Sequence, residues 1–325
     1  MVEDPVISVV IPLPDDRGHA YDSLKGFTQQ TLDVTHEVIV PTDAASRDEI
    51  AWLVDLFPQV HWIYRPGVNV NALYNFGAAV ARGTYLYISE SHCIPRADCL
   101  QQIYDFVQES GLPAACSASD GINANYVARF EQRIFEEDFH HWMNAKKCKI
   151  AIRGTLIERR LWEQIGGFQD EFGHFAEMLI GRQLEAAGVQ FGLAAKSFVS
   201  HCNQVSLKLL SDELIEYGED ECRSCHLMSK EMHVANTREW AEREWLQGNT
   251  VWLRFRQAKE SFRQRLRKLA ITYLPMPAEW RFRVFRRYWQ GAIRQGRLRY
   301  LASMKTQHAV PEEVVQSPVA YQKAA

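Results

Sequence analysis

No apolar run in this chain of 325 residues reaches the roughly 18 uncharged positions that a membrane-spanning helix needs, so no span is predicted. The opening Met1-Val2-Glu3-Asp4-Pro5 lacks the basic segment of a signal peptide, and the expected location is cytoplasmic. Cysteines are few: seven, scattered and odd in number, which suits reduced thiols better than a disulfide framework. Neither sign of charge dominates, since the net charge is -3, so the chain as a whole makes no case for nucleic acid. A Gly-rich phosphate loop is missing after the first apolar run. Pro12-Leu13-Pro14-Asp15 stands there instead, which disfavours a nucleotidyltransferase of that kind.

What remains is an ordinary globular composition, 46% apolar and 24% charged, in a chain long enough for one large domain with an appendage, or for two domains. Residues 7–11 form an apolar run that reads as a strand buried on both faces, ending at Pro12. A helix over 20–30, a strand over 37–40, a helix over 49–56, a strand over 60–64 and a helix over 72–81 follow. The strand Tyr85-Leu86-Tyr87-Ile88 comes next, and Pro95 signals a helix that runs to Ser110. Strands and helices alternating at this spacing predict a doubly wound, mostly parallel sheet. Beyond a strand at 113–118 the alternation loosens into a polar and aromatic stretch, 119–149, expected to be an insertion on the acceptor side. A strand at 150–157, a turn at Gly166-Gly167-Phe168, a helix over 176–187 closed by Gly188, and two short strands carry the chain to His201.

Glu90 and His92, one residue apart at the carboxyl end of a central strand, are two potential metal ligands where an open α/β sheet places its ligands. Two readings stand side by side: a pair that holds a cation or a diphosphate, and a pair that has lost its metal and bonds only its own loop. Cys222-Arg223-Ser224-Cys225-His226 matches a haem-attachment string, but in a chain without a signal peptide it reads as two cysteines one helical turn apart.

The order of landmarks over roughly residues 6–205 resembles the inverting glycosyltransferases of family 2. Val9-Val10-Ile11-Pro12 resembles their first strand, and Asp43-Ala44-Ala45-Ser46-Arg47-Asp48 their Asp-Asp-Gly-Ser-x-Asp segment. Asn71-Ala72-Leu73-Tyr74-Asn75 with Arg82-Gly83-Thr84-Tyr85 resembles the lead-in to the metal motif, and Glu90-Ser91-His92 stands where that family has Asp-x-Asp. Gly154-Thr155, Arg159-Arg160 and Gly166-Gly167-Phe168 resemble the acceptor-side turn, and Ala176-Glu177 falls where the family has Glu-Asp. The resemblance implies a GT-A fold, Rossmann-like, with a helical C-terminal extension, and a hexosyltransferase-type enzyme acting with inversion in glycan or polysaccharide synthesis. It implies a nucleotide-diphosphate sugar, UDP-sugar favoured, held by Pro12, Asp43, Asn71, Asn75 and Glu90. A divalent cation, Mn²⁺ or Mg²⁺, would be held by Glu90, His92 and His201, the imidazoles favouring Mn²⁺. Glu177 would be the base that deprotonates the acceptor hydroxyl, with His174 and Glu171 in reserve. The loss of both aspartates from the motif keeps open a silent GT-A-like protein that binds nucleotide or sugar without turnover.

From 206 to 305 the pattern is helical. Val251, Phe255, Ala258, Phe262, Leu266, Leu269 and Tyr273 recur at spacings of three and four, and Pro275 and Pro277 end the run before a helix over 279–304. Basic residues dominate 250–305, interleaved with Trp280, Phe282, Phe285, Tyr288 and Trp289. Such helices suit an anionic membrane surface, such as an inner face that carries a lipid-linked acceptor, or packing in a homo-oligomer; nucleic acid is the least favoured partner. Residues 306–325 are polar, contain two prolines and are expected to be disordered.

Overall fold

The computed structural model describes residues 4–14, 17–144, 150–227 and 249–307. The chain divides into two units, Met1–Ser211 and Asp212–Ala325.

In the first unit β1 (Ile7–Val10) is buried at every position and lies parallel to β2 (His36–Thr42) on one side and β4 (Tyr85–Ile88) on the other. Outside β2 lies β3 (His61–Tyr64), also parallel. On the far side of β4 come β7 (Thr155–Glu158), β6 (Ala114–Gly121), β8 (Phe191–His201) and β5 (Cys93–Pro95). The order is β3-β2-β1-β4-β7-β6-β8-β5, with β7 antiparallel to both its neighbours and β5 antiparallel to β8. The α/β class is as expected, and four of the seven strand pairings are parallel, the antiparallel ones falling beyond β4. The core of the sheet joins Ile7, Val9 and Ile11 to Leu24, Phe27 and Ile103. These last belong to α1 (Ala20–Thr28) and α4 (Cys99–Ser110). The remaining helices are α2 (Ala51–Leu56), α3 (Val70–Val80), α5 (Tyr126–Asn144), α6 (Arg159–Ile165) and α7 (Ala176–Ala186). A side chain at Gly77 of α3 would run into Val10 and Pro41, so glycine lets that helix close onto β1 and β2.

Strand order reverses between β1 and β4, and the crevice beyond their carboxyl ends is where an open α/β sheet binds ligands. Four local expectations differ from what formed. Pro95 does not open a helix; it ends β5 at the sheet edge, where a residue without an N–H is tolerated, and α4 starts at Cys99. The two short strands before His201 are one strand, interrupted by a register shift against β6 between Ser117 and Ala118. The strand expected over 150–157 begins only at Thr155. Within the stretch expected to be an insertion, the helix anticipated over 135–142 is present but begins already at Tyr126, as the long α5.

The second unit is helical. The boundary falls within α8 (Leu207–Leu227), and α9 (Thr250–Tyr273) and α10 (Ala278–Gln307) follow. The Asn249 side chain accepts from the Trp252 N–H and starts α9, while Leu274 turns extended before Pro275 and ends it. Gly218 and Gly296 let α8 and α10 cross closely: a side chain at either would meet the other helix's backbone, at Ile293 and Ile215 respectively. Arg297 donates to Glu221 across that crossing. The tail expected to be disordered lies, from residue 308 on, outside the described residues.

Candidate active site

Three strand ends converge on the crevice. Pro12 follows β1 and is buried; Asp43 follows β2 and is exposed at the rim; Glu90 follows β4, two residues past its end. Beside Asp43 opens a cavity of about 380 Å³ lined by Leu13, Asp43, Ala44, Glu49, Trp52 and Leu53, within the range of small-ligand sites. Glu49 fixes the loop there by accepting from the Ala45 N–H at 3.0 Å.

Between β4 and β5 the chain makes a tight return, with the Cys93 N–H donating to the Glu90 carbonyl at 3.0 Å. Antiparallel pairing of β5 with β8 sets Cys93 opposite His201. As a result Glu90 Oε2 lies 3.3 Å from His201 Nε2, and Glu90 Oε1 lies 3.6 Å from His92 Nε2. The two imidazoles meet edge to face with centroids 4.9 Å apart. Among the described residues Glu90, Cys93 and His201 are a group whose ligand atoms all fall within 4.8 Å of one another. The expected trio is Glu90, His92 and His201; the ligand group joins Glu90 and His201 to the Cys93 thiol, which spacing alone does not single out, and His92 lies beside it rather than in it, 3.6 Å from Glu90 Oε1.

Electrostatics agree with a cation-directed role for Glu90. Burial pushes its carboxyl up, but the combined pull of His92, His201 and Arg17 outweighs that and holds it ionised, well below the ordinary range. Burial and the nearby Arg153 charge push His201 down to about 3, against the opposing pull of Glu90, so its ring is neutral and able to act as a ligand. Burial raises the Cys93 thiol, and the Glu90 charge raises it further. The oxygen, nitrogen and sulfur set fits a divalent ion softer than Mg²⁺. Arg17 adds a cation at this rim. It is the only non-glycine described residue with positive φ, at 46°, and it donates to the Cys202 carbonyl at 3.0 Å.

Under the site lies a buried polar layer. His201 Nδ1 is 2.8 Å from Asn203 Oδ1, and Asn203 donates to Gln132 Oε1 at 3.1 Å. The buried Arg153 reaches both amides, at 3.0 Å to Gln132 Oε1 and 3.2 Å to Asn203 Oδ1, with its guanidinium 3.6 Å over the Phe135 ring. The first turns of α5 thus support the site: Glu131 also accepts from the Gln204 N–H at 2.9 Å. A buried arginine within an apolar segment leaves no signal in the sequence, so this layer was not foreseen.

Glu177 sits half-buried in the first turn of α7. Its charge and that of Glu90 both act on the buried Tyr74. The phenol donates to the Ser89 carbonyl at 3.0 Å; burial raises it well above its ordinary value, and the Glu90 and Glu177 charges raise it further. Asn71 and Asn75 hold the loop that leads to Glu177. Asn71 donates to the Gly173 carbonyl at 2.9 Å, while Asn75 donates to the Phe168 carbonyl at 2.6 Å and accepts from its N–H at 3.0 Å. Gly167, at φ 66°, comes so close that a side chain there would strike Asn75. His174 and Glu171 are exposed on the same loop.

Residues 8–167 match glycosyl transferase family 2. Among solved structures the chain resembles a mannosyltransferase from Pyrobaculum calidifontis in complex with GDP-Man and Mn²⁺, at 13% identity and a TM-score of 0.52, over 95% of this chain and 89% of that one. That likeness establishes the fold, GT-A. No curated protein matches in sequence.

Proposed function

From the family 2 glycosyl transferase match over residues 8–167, we propose that the chain moves a hexose from a nucleotide-diphosphate sugar to an acceptor hydroxyl with inversion. The observation that carries this reading is the meeting of Glu90, Cys93 and His201 beyond the carboxyl end of β4, with the Glu177 charge acting on the same buried Tyr74 as that of Glu90. Asp43 and the cavity beside it would take the nucleotide base, and Pro12 would floor the crevice. Glu90 and His201, with His92 and Cys93 beside them, would hold a divalent ion, which when bound neutralises charge on a departing diphosphate. Arg17 adds fixed positive charge on the same side. Glu177 takes the proton from the attacking hydroxyl; half-buried and at a helix start, it is held in place while still open to the acceptor. Asn71 and Asn75 act by fixing the loop in front of it, whatever further contact they make with the sugar nucleotide.

UDP-sugar is the favoured donor, with GDP-sugar the alternative raised by the mannosyltransferase, which is in complex with GDP-Man. The acceptor we propose is a glycan or a lipid-linked sugar in surface polysaccharide synthesis, met at the cytoplasmic face of an anionic membrane. No helix among the described residues is long and apolar enough to cross a membrane. Attachment would instead use α9, whose exposed apolar stripe is flanked by arginines and lysines.

Calorimetric titration of UDP and GDP, each with and without Mn²⁺, into wild type and Glu177→Gln tests this reading. Expected is micromolar, Mn²⁺-dependent binding of one nucleotide to both proteins, with sugar transfer only by wild type. Nucleotide binding with no transfer to any acceptor by wild type would point to the silent scaffold.

A further inference from the structure

We propose that Glu49, together with Asp43, makes the base cavity select guanine, so that the donor is a GDP-sugar. This deepens the nucleotide-sugar reading and rests on it. The preference for UDP-sugar comes from the family resemblance alone, and the lining of the cavity reverses it.

Asp43 follows β2, and Glu49 lies in the turn Arg47–Ile50 that leads into α2; both line the cavity, with Thr42 and Trp52. Several polar groups around them are already matched within the protein. The Thr42 hydroxyl donates to the Leu13 carbonyl at 3.2 Å and accepts from the Ala44 N–H at 3.2 Å. The Ala45 N–H donates to Glu49 Oε2 at 3.0 Å. Among the described residues none donates to Glu49 Oε1 or to either carboxylate oxygen of Asp43. The lining side chains therefore offer open acceptors, two on Asp43 and one on Glu49, against a single open donor, the Trp52 indole N–H.

Guanine carries the complementary set on its base-pairing edge: N1–H, the two hydrogens of the 2-amino group, and one carbonyl, O6. Asp43 takes N1–H and one amino hydrogen side by side, and Glu49 Oε1 takes the second amino hydrogen. The indole N–H is left for O6. Uracil carries one N3–H between two carbonyl oxygens. Against the same lining it leaves carboxylate oxygens without a donor and turns its own carbonyls toward them, a repulsion that rejects the wrong partner. At about 380 Å³ the cavity admits either base, so chemistry rather than size selects.

Calorimetric titration of the full-length protein with GDP, IDP and UDP, each with Mn²⁺ present, tests this; IDP is GDP without the 2-amino group. Wild type is expected to bind GDP about tenfold or more tighter than either of the others. Glu49→Gln keeps an oxygen for the Ala45 N–H and sets an NH₂ in place of Oε1. It is expected to weaken GDP about tenfold while IDP changes by less than about twofold. A wild type that binds GDP no tighter than IDP overturns the proposal, and needs no variant to fold. So does a Glu49→Gln protein that loses GDP and IDP affinity equally, because Glu49 then acts only through its loop, or one that loses neither. UDP bound in preference to GDP overturns the guanine assignment and leaves the nucleotide-sugar reading standing. If none of the three binds, both fall.

Discussion

Glu90 Oε2 faces His201 Nε2 at 3.3 Å inside a pocket where both side chains are nearly sealed from solvent. Glu90 is held ionised there, so the pocket presents an anionic oxygen and a ring nitrogen side by side, a pair that a divalent cation can bind together. Mn²⁺ should therefore stabilise the folded protein. At a concentration about 100 times its dissociation constant the gain is about 2.7 kcal/mol, read as a rise in melting temperature. Glu90→Gln keeps the shape but removes the charge, so most of that rise should vanish while the variant stays folded. An equal Mn²⁺ shift in wild type and Glu90→Gln would place the ion elsewhere.

Asn75 clasps both backbone groups of Phe168, and Phe168 lies on the loop that delivers Glu177. Asn75→Ala leaves a carbonyl and an N–H without these partners, costing about 1–3 kcal/mol of stability. Glu177 loses its fixed approach as well, so kcat should fall at least tenfold while nucleotide affinity changes little. Asn75→Asp keeps the acceptor for the Phe168 N–H but not the donor for its carbonyl, and should lie between. Denaturant midpoints and steady-state kinetics on the three proteins decide it; a variant altered only in nucleotide binding would return Asn75 to direct donor contact.

Much of this was legible in the sequence because the sheet's inner strands are short apolar runs that stop at polar loops. β1, β2 and β4 each end beside a residue that pointed to the site: Pro12, Asp43 and Glu90. What escaped notice depends on contacts between distant segments. Pro95 carries a helix-start signal, and only the pairing of Cys93 with His201 makes it the end of an edge strand. That same pairing brings the Cys93 thiol into the ligand group. Gln132 and Asn203 are unremarkable polar residues until Arg153 joins them beneath His201. Asn71 and Asn75 were found by their place in a motif, yet their bonds to the 168–173 loop belong to tertiary structure.

His201 should also make the metal-free protein acid-sensitive. Its native value, about 3, lies far below the 6.5 of a free imidazole. Above that ordinary value neither state binds the proton and stability is unaffected. As pH falls below it, the unfolded chain takes up a proton the native ring refuses, so stability drops all the way toward the native value. Glu90 works in the same sense lower down: the stability from its depressed carboxyl is full above the ordinary carboxylate range and is lost as pH falls through and below it. Between pH 7.5 and 5.5 one such histidine accounts for about 1.4 kcal/mol. By urea unfolding, the loss of stability between those two pH values should be larger in wild type than in His201→Gln by roughly that amount; parallel pH dependence would mean the native ring is not held neutral.

The stripe on α9 makes the last prediction. Val251, Phe255, Phe262, Leu266, Leu269 and Tyr273 fall within an arc of about 60° on a helix of 3.6 residues per turn. All six are between 50% and 76% exposed, so the stripe is not part of the unit's own core, which uses Leu253 on another face. The exposed Lys259 and Arg263 border the arc on one side and Arg254 and Arg265 on the other. An apolar band with cations on both margins matches a bilayer interface, where each basic residue near anionic lipid adds about 1 kcal/mol. The purified protein should sediment with phosphatidylglycerol vesicles, release them as salt rises, and ignore phosphatidylcholine. Phe262→Glu/Leu266→Glu should abolish sedimentation while helix content and the Mn²⁺ response stay as in wild type. If wild type instead ignores both vesicles, and the same double variant turns a dimer into a monomer in sedimentation velocity, the stripe is a self-association surface and the membrane reading is wrong.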